Sequence, residues 1–181
     1  MPLPSARFLV AANPVETPPC WLSADPRRFA RDLAALGPVF CAWTGPAAGR
    51  SEGASDIDPG SPDGLVLAHP GLLAHACAVT IDGPREWITV HDGAGVPRCR
   101  LYLLPDTDYL AWDALLAHAD ATAAPAARPR WRPHRGRRLR FEVASIGSWS
   151  LVCTSTALPD CVLSWRTVRE LVRTEGVALV A

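Results

Sequence analysis

Any metal or ligand chemistry in this chain starts from five histidines, at 69, 75, 91, 118 and 134, six cysteines and a run of arginines. A neutral imidazole ligates transition metals and titrates near neutral pH. His75 alternates with Cys77 and Val79 in an apolar run, which turns it toward a buried face. A core histidine bonded to a neighbour is the plainer reading there. His69 precedes Pro70 at a break between apolar runs, a place suited to a pocket rim. His91 adjoins Asp92 in a turn and reads as a local hydrogen-bonding group. His118 ends a helical stretch, where a cation suits the helix dipole. His134 stands among arginines, which favour its neutral form. No two histidines have the four-residue spacing of a helical metal pair.

The cysteines, at 20, 41, 77, 99, 153 and 161, form no C-x-x-C pair and suit neither a zinc site nor a disulfide scaffold. This fits a reducing, cytoplasmic compartment. Cys99 lies between Arg98 and Arg100, which would favour a thiolate able to ligate a soft metal. In an alternating strand it reads first as a packed thiol. Residues 128–140 hold seven arginines, Arg128, Arg130, Arg132, Arg135, Arg137, Arg138 and Arg140, around Trp131. Such a block can clamp carboxylates or phosphates and stack on flat rings. It reads equally well as a solvated linker.

Other chemistries are excluded by type. All 18 basic residues are arginine, so no lysine is present for Schiff-base or general-base work. No G-x-S-x-G, P-loop, G-x-G-x-x-G or H-E-x-x-H motif occurs. Asp106 and Asp108 before Tyr109 read as a helix N-terminal cap rather than as a pair of acids. The formal net charge of 0 argues against a broad nucleic-acid footprint. No apolar stretch is long enough to span a bilayer, and the run at 8–12 is too short for a signal-peptide core.

These residues need elements to position them. Residues 87–104 read as two alternating strands around the turn Asp92-Gly93-Ala94-Gly95. A helix starts at Asp25-Pro26 and stops at Gly37-Pro38. Strands are expected at 7–11, 39–44, 73–81, 140–144, 149–154 and 177–180, and further helices at 109–119 and 162–173. Residues 45–64, with five glycines and three prolines, read as a long loop. Hydrophobic residues make up 49% and charged residues 20%, enough for a packed core. The expected fold class is α+β, a mainly antiparallel sheet with flanking helices. The expected organisation is a single domain, 1–181, with a linker at 119–127 before a C-terminal strand–helix portion, 128–181.

Three segments together resemble the cytosolic haem-utilisation family, the HemS/ChuX-like haem carriers and haemin-degrading proteins. The sequence LGPVFCAWTG resembles that family's strand Leu-Gly-x-Val-Met-Ala-Leu-Thr-Arg-Asn. LVLAHPGLLAHACAVTI resembles its apolar segment ending Trp-x-x-Ala-Phe-Ala-Val. VHDGAGVPRCRLYL resembles its Phe-Phe-Asp-x-x-Gly-x-Ala-Val-His-Lys-Val-Tyr-Leu. Asp92, Gly95, Tyr102 and Leu103 match, while Gly45-Pro46 replaces Arg-Asn, Leu73 replaces Trp and Cys99 replaces His. The family's Val-His-Glu-Lys-x-Gly-x-Tyr has no counterpart. The resemblance implies a diverged half-repeat of a haem-utilisation fold. It implies a bacterial haem-binding or haem-trafficking role in hemin transport and iron acquisition. Haem would then be the cofactor, with His75 as first-choice metal ligand and His69 as second. Arg135, Arg137 and Arg138 would hold the propionates. A haem-delivering or haem-receiving protein would be the partner, and a homodimer is left open. Haem degradation enters through the resemblance alone. Two other readings stand beside it. One is a non-catalytic interaction module that kept the fold without a pocket. The other is an arginine-patch module for nucleic acid or phosphate.

Overall fold

The computed structural model describes residues 15–44, 70–80, 83–126, 129–146 and 149–180. The expected strand at 7–11, the loop at 45–64, His69 and Arg128 lie outside them. The order is β1 (Val15–Glu16), β2 (Cys20–Ser23), α1 (Pro26–Ala35), β3 (Pro38–Thr44), β4 (Leu72–Thr80), β5 (Gly83–His91) and β6 (Pro97–Tyr102). Then come α2 (Tyr109–Ala117), β7 (Asp120–Ala121), β8 (Pro133–Ile146), β9 (Trp149–Ser155), α3 (Val162–Glu175) and β10 (Ala178–Leu179). The strands form one sheet in the order β10-β8-β3-β6-β5-β4-β2-β7. All pairs are antiparallel except β10 on β8. The fold is thus α+β and mostly antiparallel, as expected. No helix among the described residues is long and apolar enough to cross a membrane.

Local chemistry sets the element ends. The Asp25 side chain accepts from the Arg28 N–H at 2.8 Å, Pro26 opens α1, and Gly37 turns the chain at φ 69°. Asp108 caps α2 through the Ala111 N–H at 3.0 Å. In the β5–β6 turn, Asp92 Oδ1 accepts from the N–H groups of Ala94 and Val96, both at 2.9 Å, and Gly95 takes φ 76°. Arg98 also binds the Asp92 carboxylate at 2.7 Å. Burial works against that carboxylate's charge, but the Val96, Arg98 and Ala94 hydrogen bonds outweigh it and hold its pKa below the ordinary value.

Both faces of the sheet are covered. On one face, Phe29 and Leu33 of α1 and Trp112 and Leu115 of α2 pack on Val39, Cys41, Ile88, Val90, Cys99 and Leu101. On the other, Val168 and Leu171 of α3 pack with Phe40, Ala42, Trp87 and Tyr102. Alternation along the central strands divides the two sets, so β3–β6 contribute one residue in two to each core.

The C-terminal third joins this same sheet. The arginine block is not a linker: its second half is β8, paired with β3 from Pro133 to Arg140. Two of its guanidinium groups lie over aromatic rings. Arg135 lies 5.9 Å from the Trp43 ring and Arg138 lies 5.6 Å from Trp165. The composition-based linker at 119–127 also corrects in part, since β7 pairs with β2 and the Thr122 N–H reaches the Trp21 carbonyl at 2.9 Å.

Candidate functional site

The α3 face of the sheet carries an open cleft of about 180 Å³ beside the β1–β2 edge. Its floor is made by β4 and β5. On β4, Ala74 and Ala76 point to this face, opposite Thr89 and Trp87 of β5. Small side chains flanked by large ones leave a groove, with Trp21 on one side and Trp87 and Trp131 on the other. The strand order therefore dictates the cleft: alternate alanines on β4 and alternate Trp87, Thr89 and His91 on β5 share one face.

His91 is the histidine in this cleft. It is buried, at 6% exposure, and its ring lies 5.0 Å from that of Trp21. Its Nδ1 sits 3.1 Å from the Gly95 carbonyl. A carbonyl oxygen only accepts, so Nδ1 carries the proton and Nε2 keeps its lone pair. Burial holds the pKa below 6.5, against the Gly95 bond and the Asp92 charge, which pull the other way. His91 is thus a neutral imidazole with an unprotonated Nε2, oriented by the turn that the sequence marks most clearly.

Beneath the outer wall lies a polar cluster. The Arg100 guanidinium stands 4.6 Å from the Trp131 ring and 5.3 Å from that of Trp87. Its Nε donates to Thr89 at 3.1 Å, and its Nη1 reaches Tyr102 Oη at 3.3 Å and Glu175 Oε1 at 3.2 Å. Tyr102 donates to the same Glu175 oxygen. Burial pushes the Tyr102 phenol well above its ordinary range, so it stays a donor. Trp131 Nε1 donates to Glu175 Oε2 at 2.6 Å.

The residues singled out from the sequence are not brought together. His75 is on the opposite face, toward α2. Its Nε2 is 3.5 Å from Glu86 Oε2, an oxygen that also accepts from Trp112 Nε1 at 3.2 Å. Arg135 and Arg137 share that face but stand on β8, with β3, β6 and β5 between them and β4. Arg138 is on the cleft's face, yet it is buried against Asp106 and the Pro159 carbonyl, so it offers nothing to a cleft ligand. Strand parity separates the expected arginines: Arg135 and Arg137 face one side of β8 and Arg138 the other. Cys99 is a packed thiol, 1% exposed, on the α1–α2 face. His118 bonds Asp32 at 2.9 Å between α2 and α1, and His134 is exposed. Of the two acids before α2, only Asp108 caps; Asp106 binds Arg138 and Ser164. Among the described residues no group of three histidines, cysteines or acids is placed to hold a metal ion alone. Within β8, Arg135 and Arg137 lie on one face of the sheet and Arg138 and Arg140 on the other.

The sequence reading took His91 as a local turn group and Trp131 as part of the arginine block, and it gave Trp87 and Glu175 no place in a site. Period-two spacing already grouped Trp87 with His91. What it lacked was the alanine stripe of β4 alongside, which only strand pairing reveals.

No family model and no curated protein matches the chain. Among solved structures it is similar to the heme degrading enzyme ChuS of Escherichia coli O157:H7, with 18% identity and a TM-score of 0.38 over 63% of this chain. It is also similar to holo-PhuS, a heme-binding protein from Pseudomonas aeruginosa, with 16% identity and a TM-score of 0.33 over 61% of this chain. The chain spans 39% of the length of each.

Proposed function

We propose that this chain binds haem in the cleft on the α3 face, with His91 as the axial ligand. The observation that carries this reading is the buried His91 ring. Its Nδ1 proton is committed to Gly95, which leaves Nε2 as a lone pair in a cleft walled by tryptophans. The chemistry of these residues fits the group. A flat macrocycle needs aromatic and small apolar surface, here Trp21, Trp87, Trp131, Ala74 and Ala76. It needs a neutral imidazole, which burial of His91 provides. It needs cations for its carboxylates, a role we assign to Arg130 and Arg132, which are exposed and flank the lining residue Trp131 in the chain. Arg100 is committed to Glu175 and serves the wall rather than a propionate.

Bound haem supplies an iron centre with axial positions open to a nitrogen donor. The chain's own part is to hold His91 in one tautomer, to orient its ring through Trp21 and Gly95, and to shield one face of the ligand from water. At about 180 Å³ the cleft is smaller than typical enclosed ligand sites of roughly 300–1,000 Å³, and it is open. A haem held here would keep an exposed edge, which suits a carrier that passes its cargo to another protein. The sequence resemblance to the haem-utilisation family supports the same ligand, at residues different from those it first suggested.

Titration of the purified protein with haemin tests the reading. A saturable Soret shift at equimolar haemin is expected. His91→Ala should lower affinity by at least the roughly tenfold that loss of a metal site's supporting group brings, while His75→Ala leaves the bound spectrum unchanged. Absence of a saturable shift removes the function. An unchanged spectrum in His91→Ala removes the ligand assignment.

A further inference from the structure

We propose that Glu175, the last residue of α3, is a positioning residue that fixes Trp131 as the outer wall of the cleft. The inference deepens the haem reading and rests on it for the ligand alone. Three donors from two separate parts of the chain meet on this one carboxylate. Oε1 takes Arg100 Nη1 and Tyr102 Oη from β6, and Oε2 takes Trp131 Nε1 from the segment ahead of β8. Its side chain is 17% exposed, so these bonds form largely out of water, where a charged acceptor is worth most.

Beyond these bonds, Trp131 is held by packing, partly buried, against the apolar cluster on the α3 side. Its neighbours Arg130 and Arg132 are exposed and precede the first residue of β8, so no sheet ladder holds this stretch. Its ring lies on the Arg100 guanidinium, which is itself tied to Glu175. Removing the carboxylate therefore removes the indole N–H acceptor and the charge partner of the group underneath in one step. The wall of the cleft is set from the C-terminal end of a helix whose Val168 and Leu171 belong to the same apolar cluster that Trp131 packs against. A pre-set wall matters because a flat ligand gains by stacking only where the facing ring is already in place.

Acrylamide quenching of tryptophan emission and haemin titration of four proteins decide the matter: wild type, Glu175→Ala, Trp131→Phe and the double variant. Glu175→Gln serves as the variant that keeps an acceptor for the indole. Glu175→Ala should raise quenching in the wild-type background and leave it unchanged in the Trp131→Phe background. Glu175→Gln should keep quenching near the wild-type level. Haemin affinity should fall about tenfold in Glu175→Ala, with little further loss in the double variant. Equal quenching changes in both backgrounds would mean general loosening and overturn the proposal, as would unchanged quenching in Glu175→Ala. If wild type binds no haemin, the ligand reading fails on its own, and the quenching comparison still decides the role of Glu175.

Discussion

The tautomer of His91 is imposed by a backbone carbonyl, and its protonation state by burial. Both follow from a ring that closes the β5–β6 hairpin from inside. Its pKa in the folded chain lies below the ordinary 6.5, so the unfolded chain takes up its proton first as pH falls. The His91 contribution to stability is therefore present above pH 6.5 and is lost as the pH drops through the lower, folded value. Asp92 next to it is also held below its ordinary value of 3.8, and its contribution is lost only under more acidic conditions. Urea midpoints at pH 7 and pH 5 should separate the two. Wild type should lose more stability across that interval than His91→Phe, which cannot take up a proton. Equal losses in both would show that His91 does not titrate with folding. The sequence made this residue legible in part. The local bond to the turn was readable from His91 beside Asp92 and Gly95. Its burial was not, because the stacking partner Trp21 comes from β2, about seventy residues earlier in the chain.

Among the elements, helices and hairpin were readable and the first half of β8 was not, for reasons that lie in particular residues. Asp25-Pro26 and Asp108 carry capping chemistry in the residues themselves, and Asp92 with Gly95 carries the turn. The stretch from Pro133 to Arg140 has one apolar side chain larger than proline, Leu139, and a glycine at its centre, so its pattern resembles a loop. The glycine is there for packing. A Cβ on Gly136 would lie 2.3 Å from Cζ of Phe40 and 2.9 Å from its Cε2. Phe40 has no room to retreat, being fully buried with its ring 6.0 Å from that of Tyr102. Gly136→Ala should thus cost the roughly 1–3 kcal/mol of an overpacked core. That would lower the melting temperature by about 2–4 °C for each kcal/mol in a chain of this size. Gly93→Ala in the exposed turn, where a Cβ meets nothing within 4 Å, is the comparison and should change little. A Gly136→Ala melt indistinguishable from that of Gly93→Ala would mean that the Phe40 ring does not cover β8.

At the scale of the whole molecule, composition indicated a core but not its division into two. Of the central strands, β3 and β4 read as nearly continuous apolar runs, so period two does not reveal which of their faces a helix takes. That choice is fixed by tertiary contacts, and one of them spans three elements. Arg138 of β8, with its side chain 2% exposed, binds the Asp106 carboxylate from the loop after β6 and the Pro159 carbonyl at 3.1 Å. Ser164 in the first turn of α3 donates to the other Asp106 oxygen. Asp106 thus ties the start of the α3 layer to the sheet, at the opposite end of the helix from Glu175. The two partners are unequal, since Asp106 is 22% exposed and can be rehydrated while Arg138 cannot. Asp106→Ala leaves a buried guanidinium with no carboxylate, only the Pro159 carbonyl and the Trp165 ring, at a cost of about 3–5 kcal/mol, a large share of a typical total of roughly 5–15 kcal/mol. Arg138→Met removes the buried charge and keeps a long stem beside Trp165, while Asp106 turns to Ser164 and water. Denaturant titration should therefore find Asp106→Ala clearly less stable than Arg138→Met. The reverse order would show that the carboxylate, rather than the guanidinium, is the charge that burial leaves dependent on its partner.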